Sequence, residues 1–417
     1  MTFVRRRLTQ GELDMFVQAH LRFLEGRSGG RRASLKFLDL SDLNLSEILL
    51  DDADLTGSSL ENGRLSGARL ERAILFGCDL RGADLTGANL RRADIRGACL
   101  RGANLSQADL SQADFREGVL AIPHATKGLS AVKNEKMLGI ADGASFSGAL
   151  LDGSRFDGVS AFKADFTDCS MRGARLNGAN LKDADLSGAM MDGADVGGAN
   201  FAGARLRGAV LTGVAMEAAR LDRTDLSGVL RTPDAAMKAR ADVMLEALKD
   251  AMAWAESGGV LGRPAVLDSE DLRPLEGQLR GFKLPAISAR GACFVGMDLR
   301  DTGFQGANLD GADLRCADLR GADLRGARLN GALLSKADLA GASLGPLPLS
   351  KTRSMPATLV EARLRYAVMR GCDLTDAVLT GADLAGADLT QASVTAAQLV
   401  DARLDRARGL PPEIAAA

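Results

Sequence analysis

Two histidines, six cysteines, 52 basic and 54 acidic side chains are the raw material for chemistry in this chain of 417 residues. His20 and His124 stand far apart, and neither has a Cys or Ser partner to activate as a nucleophile. With so few imidazoles, most His-based metal and acid–base sites are excluded. The cysteines form no CxxC pair, which argues against a zinc ribbon and a disulfide framework. Cys78, Cys169 and Cys372 read as compact core residues. Cys99, Cys293 and Cys316 fall on outward positions where a reactive thiol is conceivable but nothing basic nearby activates it. No GxxxxGK[ST] phosphate loop occurs. Acid pairs such as Asp51-Asp52 recur with a repeat and read as a solvated face, not as a general base. No catalytic residue, cofactor site or metal site is assigned, and the chain is read as a non-enzyme. One constellation remains, in REGVLAIPHATKGLSAVKNEKMLGIAD from Arg116 to Asp142. There His124, Lys127, Lys133 and Lys136 gather among Gly, Pro and Asn. A long loop without structure of its own is uncommon and often functional, so these four are the expected partner contacts, the alternative being a solvated bulge that the solenoid tolerates.

The elements that must position them come from a repeat. An apolar residue recurs every fifth position from Leu35 to Phe115, through Leu40, Leu45, Leu80, Leu85, Leu90, Ile95 and Leu100. Two residues before each stands a small one, usually Ala, as in RGADL, TGANL and RGANL. The pattern returns from Phe146 to Leu226, shifted by one, then from Phe294 to Leu344 and from Leu359 to Leu404. Only Ala161 breaks the large-apolar rule. A period of five fits neither the helix nor the strand, but it fits a chain that turns a corner every five residues. The central residue and the small one then face an axis, while the other three positions face water. One such coil cannot bury its apolar face, so the coils must stack.

These residues resemble the pentapeptide-repeat proteins, whose motif is A(D/N)LXX. The resemblance implies an all-β repeat fold, a right-handed quadrilateral β-solenoid with four pentapeptides per coil. Composition agrees: aromatics are only 4%, so the core must be built from small and aliphatic side chains.

Short helices are expected to cap the solenoid. Thr9-Gln10-Gly11-Glu12 reads as a capping box, followed by an amphipathic run to Gly26. Thr232-Pro233-Asp234 opens a second helix, with Pro at its first position and Gly258-Gly259 as its stop. After each helix the small position carries large residues, Leu38, Leu43 and Ile48 in one case and Phe282, Ile287 and Met297 in the other. The expected organisation is therefore a capping helix over 1–30 and a first solenoid over 31–231, interrupted by loop 116–142. A junction helix over 232–260 follows, then a second solenoid over 261–417, interrupted near 345–358 where one to three faces of a coil are replaced. The two helix-plus-solenoid modules read as an internal duplication.

Function is read by exclusion and by charge. No apolar stretch approaches the roughly 18 residues of a membrane span, and no secretion signal is visible, so the expected compartment is the cytoplasm. Net charge is −2, which argues against direct nucleic-acid binding. The leading expectation is a protein–protein interaction scaffold with an unidentified protein partner. The alternative rests on the resemblance: some members mimic DNA and bind a type II topoisomerase, as in quinolone resistance. A duplex carries one negative charge per about 1.7 Å of axis. The many Arg residues set beside Asp, such as Arg96, Arg320 and Arg325, fall short of such a field.

Overall fold

The computed structural model describes residues 4–124 and 128–411. The chain divides into two compact units, Met1–Thr232 and Pro233–Ala417, and in each a helix precedes a stack of coils. Facing residues are 20 apart, as in Asp54↔Ile74↔Asp94 and Asp84↔Asn104, and all pair in parallel. Four pentapeptides thus complete one coil, giving a four-sided β-solenoid.

The local chemistry explains the period. At each rung the central residue donates to the coil below and the next residue's neighbour returns the bond: Leu85 N–H to Asn104 O is 2.7 Å and Asn104 N–H to Ala83 O is 2.9 Å. The corner closes with a β-turn, Ala88 N–H to Leu85 O at 3.0 Å. Its third residue is left-handed, as at Gly97 (φ 65°), which is why Gly recurs at that position. Leu85, Ala83 and most of their equivalents are wholly buried, forming one continuous core per unit, while those of the last coils, such as Leu226 and Leu404, are partly buried. Ala161 faces the same axis between Phe156 and Phe166, whose rings take the volume a larger residue would need.

The first unit begins with strand β1 (Arg6–Arg7), helix α1 (Gln10–Leu24) and strand β2 (Leu38–Asp39). Thr9 and Glu12 form the expected capping box. β1 pairs in parallel with β2, adding a rung that the sequence did not announce. On the next face the Gln10 side-chain amide takes the place of a strand, donating to Asn44 O and accepting from Asn44 N–H, each at 3.0 Å. Phe16 and Val17 of α1 pack with Leu38, Leu43 and Ile48 on the core. Large residues occupy the small position there because a helix, not another coil, lies over that end.

In the middle of the first unit, strands β3 (Gly118–His124) and β4 (Gly128–Met137) leave the stack and are described with the site. The second unit opens with α2 (Ala235–Glu256). Asp234, not a residue inside the helix, is the cap, its side chain accepting from Met237 N–H at 2.8 Å. Pro233 therefore precedes the cap rather than occupying the first helical position, since the Asp carboxylate offers the free amides a better partner. Ala241, Met244, Leu248 and Ala251 are buried in the same core as Leu267, Leu272 and Leu275. Near 345–358 no coil face is replaced. The spacing of facing residues rises to 30 at Arg328↔Thr358, and the added residues carry a small hairpin of β5 (Leu347–Pro348) and β6 (Ser354–Met355). An insert of two whole pentapeptides leaves the register intact. Among the described residues, no helix is long and apolar enough to cross a membrane.

Candidate interaction site

The 116–142 segment enters at one corner of the first solenoid. Facing residues there are 41 apart, at Cys99↔Ile140 and Asn104↔Ser145. The insert is thus one residue longer than a whole coil, which is the physical origin of the shift in register. The sequence reading took this segment as a loop without structure. Instead β3 and β4 pair antiparallel from Gly118↔Met137 to Pro123↔Val132, because backbone groups that leave the stack must find partners elsewhere.

The hairpin is seated on the solenoid by close approach to glycines. Gly97 N–H donates to Arg116 O at 2.7 Å. Leu120 is 3% exposed and lies over Gly77, where a Cβ would stand 2.8 Å from its Cδ2. Gly118 lies against the Phe76 ring and Met137 against Gly97. Arg96 sits 5.2 Å from the centre of the Phe76 ring and donates from Nε to Asp94 at 2.8 Å.

His124 ends β3, opposite Gly128, and Lys127 lies outside the described residues. Lys133 faces Ile122 and Lys136 faces Val119 across the ladder. Being three apart on one strand, the two lysines point to opposite faces of the hairpin. Each has an acid: Lys133 Nζ is 2.6 Å from Glu135 and Lys136 Nζ is 2.8 Å from Glu117. The structure therefore does not assemble Lys133 and Lys136 into one basic patch. What the sequence reading missed is apolar: Val119 is 61% exposed and Leu138 54%. The unbroken apolar run Val119-Leu120-Ala121-Ile122 was the available signal, since a strand turns successive side chains to opposite faces and only one of them can face the solenoid.

Other candidates resolve differently. Asp51 is not on a solvated face: it is 4% exposed, its Oδ2 is 2.5 Å from Arg69 and its Oδ1 accepts from Glu71 N–H. Cys78, Cys169 and Cys372 are buried as expected, and all six thiols are free. Cys99, Cys293 and Cys316 are half-buried on their positions, and burial pushes the Cys293 thiol up to about 12. Among the described residues, no group of three or more His, Cys, Asp or Glu is arranged to hold a metal ion. Acids on the faces are held by arginines: the Arg300 guanidinium, 2.5 Å away, keeps Asp298 down at about 2.

Fold and repeat together define a four-sided solenoid protein of stacked pentapeptides. A family profile for pentapeptide repeats matches residues 33–72, 73–112, 142–178, 162–198, 191–228, 288–321, 312–345, 357–395 and 372–408. The chain belongs to the pentapeptide-repeat family, whose fold is the right-handed quadrilateral β-helix. Among solved structures it is similar to HetL from the cyanobacterium Nostoc sp. strain PCC 7120, a protein involved in heterocyst differentiation regulation. That match has 18% identity over 97% of this chain and 99% of that one, with a TM-score of 0.19. It is also similar to QnrB1, a plasmid-mediated fluoroquinolone resistance protein, at 20% identity over 52% of this chain and 99% of that one, with a TM-score of 0.24. A thylakoid-lumen pentapeptide-repeat protein of Arabidopsis thaliana matches at 30% identity over 29% of this chain and 66% of that one, with a TM-score of 0.19. No curated protein matches the chain.

Proposed function

We propose that this protein is a non-catalytic scaffold that binds another protein, and that the hairpin over 116–142 is the contact that fixes the partner's position. The observation that carries this reading is the docked hairpin with Val119 and Leu138 turned outward. Coil faces offer the same chemistry at every rung, so they specify position poorly. A single inserted hairpin breaks that degeneracy, and apolar residues among charged ones have the make-up of an interface centre with a polar rim. Lys136, opposite Val119 on the same face, would belong to that rim, and His124, Lys127 and Lys133 are proposed as further contacts.

Charge supports the scaffold over the DNA-mimic reading. Arg300 with Asp298, Arg320 with Asp318 and Arg325 with Asp323 are ion pairs of 2.5–2.6 Å that leave little uncompensated negative field on those faces. The six free thiols suit the reducing cytoplasm as its place of work. The test is recovery of host proteins on the purified chain and on a variant lacking 118–138, the 21 residues whose removal restores the 20-residue spacing, with the ends rejoined. The scaffold reading expects a partner lost with the hairpin while circular dichroism is unchanged. Equal recovery on both would refute the hairpin's role, and protection of gyrase from a quinolone would replace the scaffold with a mimic.

A further inference from the structure

Among the described residues, the end of the first solenoid under α1 is closed on two faces, at Asp39 and Asn44, and open on two, at Ser34 and Leu49. Within the stack, each rung bonds upward through two groups of one residue: Asp54 N–H donates to Ala33 O and Asp54 O accepts from Leu35 N–H. In the first coil the corresponding groups of Asp39 are met by β1, and those of Asn44 by the Gln10 amide. At Ser34, which is exposed, no described residue bonds the equivalent N–H and C=O. The unpaired N–H and C=O of such an edge residue are a template for an added strand.

Ser34 lines a cleft of about 520 Å³ between α1 and this edge, within the roughly 300–1,000 Å³ usual for binding pockets. Its floor includes Phe16 and Met15, and Met15 is 74% exposed. Its rim carries Arg6, Arg31 and Arg32 against one acid, Glu12, which is 3.1 Å from Arg6. Arg31 and Arg32 form no ion pair among the described residues, although Arg32 Nε donates to Asp52 O at 2.5 Å. Many other arginines of this solenoid are set against Asp, as Arg72 is against Asp52 and Arg96 against Asp94. Arg31 and Arg32, neither in an ion pair, beside an apolar floor and an open strand edge, are complementary to one kind of occupant.

We propose that this cleft takes an extended segment of a partner protein in which acidic and aliphatic residues alternate, added as a parallel strand on the open edge at Ser34. The segment's backbone supplies the two bonds that a preceding coil would make. Its acids meet Arg31 and Arg32, and an aliphatic side chain covers Phe16 and Met15. Main-chain bonds give such strand addition its affinity, and the side-chain pockets give it specificity. This surface is separate from the hairpin and does not depend on it.

The probe is a fluorescein-labelled peptide of sequence AVDLEVG, titrated with the full chain by fluorescence anisotropy. Saturable binding is expected. It should weaken at least roughly tenfold in Arg31→Glu/Arg32→Glu, the loss of about one charge-assisted hydrogen bond or more. It should weaken as much when the peptide's leucine amide is N-methylated, which removes the bond to Ser34 C=O without touching charge or the protein's folding. Removing 118–138 should leave binding unchanged, so that failure of the hairpin reading and failure of this one are told apart. Absence of saturable binding, or binding indifferent to N-methylation, would overturn the proposal. So would loss of peptide binding with the hairpin.

Discussion

His20 is the group on which the docking of α1 turns, and its protonation can be worked through. The ring is wholly buried, with Nδ1 accepting from Ala33 N–H at 3.1 Å and Nε2 donating to Asp51 O at 2.9 Å. Both nitrogens are committed in the neutral form. A second proton would have to sit on Nδ1, facing the Ala33 N–H. Desolvation by burial holds His20 below its ordinary 6.5, partly offset by the Asp51 carbonyl and by Asp51 and Asp52, while Arg32 adds to the depression. The unfolded chain therefore binds the proton more readily than the folded one. The stability that His20 contributes is full above 6.5 and is lost as pH falls below that value. At one pH unit below 6.5 the loss is at most about 1.4 kcal/mol. For a unit of this size that is a fall of roughly 3–6 °C in the thermal midpoint. The assay is thermal unfolding between about pH 8 and pH 5.5 for the native chain and for His20→Gln, which keeps a donor and an acceptor but cannot titrate there. The native chain should lose stability across this window relative to the variant. Parallel curves would refute the reasoning, and so would a native chain stabilised by acid.

Three further outcomes follow from the packing. Ala93, 1% exposed, faces the axis, so Ala93→Leu should lower stability by about 1–3 kcal/mol in thermal or urea unfolding, whereas Arg91→Ala on the same coil should change it by under about 0.5 kcal/mol. Gly97→Val places a side chain at φ 65° against Met137, so limited proteolysis should cut the hairpin faster while far-UV circular dichroism keeps the solenoid signal. Burial pushes the thiols of Cys78, Cys293 and Cys372 up to about 12, so alkylation of the native protein at about pH 8 should leave these three unmodified by mass spectrometry.

What the sequence made legible is what the repeat encodes. Period five put Leu85 and Ala83 on the axis, and the phase slip after Phe115 recorded an insert that is not a multiple of five. The two helices were readable because capping residues and apolar spacing are local signals. Features that depend on what lies over a coil end were not. β1 is two arginines long and carries no pattern of its own. The Gln10 amide substitutes for a strand only because α1 places it over Asn44. Asp51 looks like a surface acid until Arg69 and the Glu71 amide are brought to it from the next coil. The hairpin was hidden for a related reason. Its Leu120 faces the solenoid rather than a second sheet, and the sequence between its strands holds no Asn-Gly or Asp-Gly signal. His20, read only as part of an amphipathic face, proved to be the bond between that helix and the coil beneath it.

The most direct test of the central claim is site-specific photo-crosslinking in the host. A photoreactive residue replaces Val119 on the outer face of the hairpin in one variant, and Arg91 on a coil face in another. The account predicts a discrete adduct with one protein from position 119, absent from position 91 and absent when the hairpin is removed. Adducts of equal yield from both positions, or none from 119 beside a discrete one from 91, would contradict it.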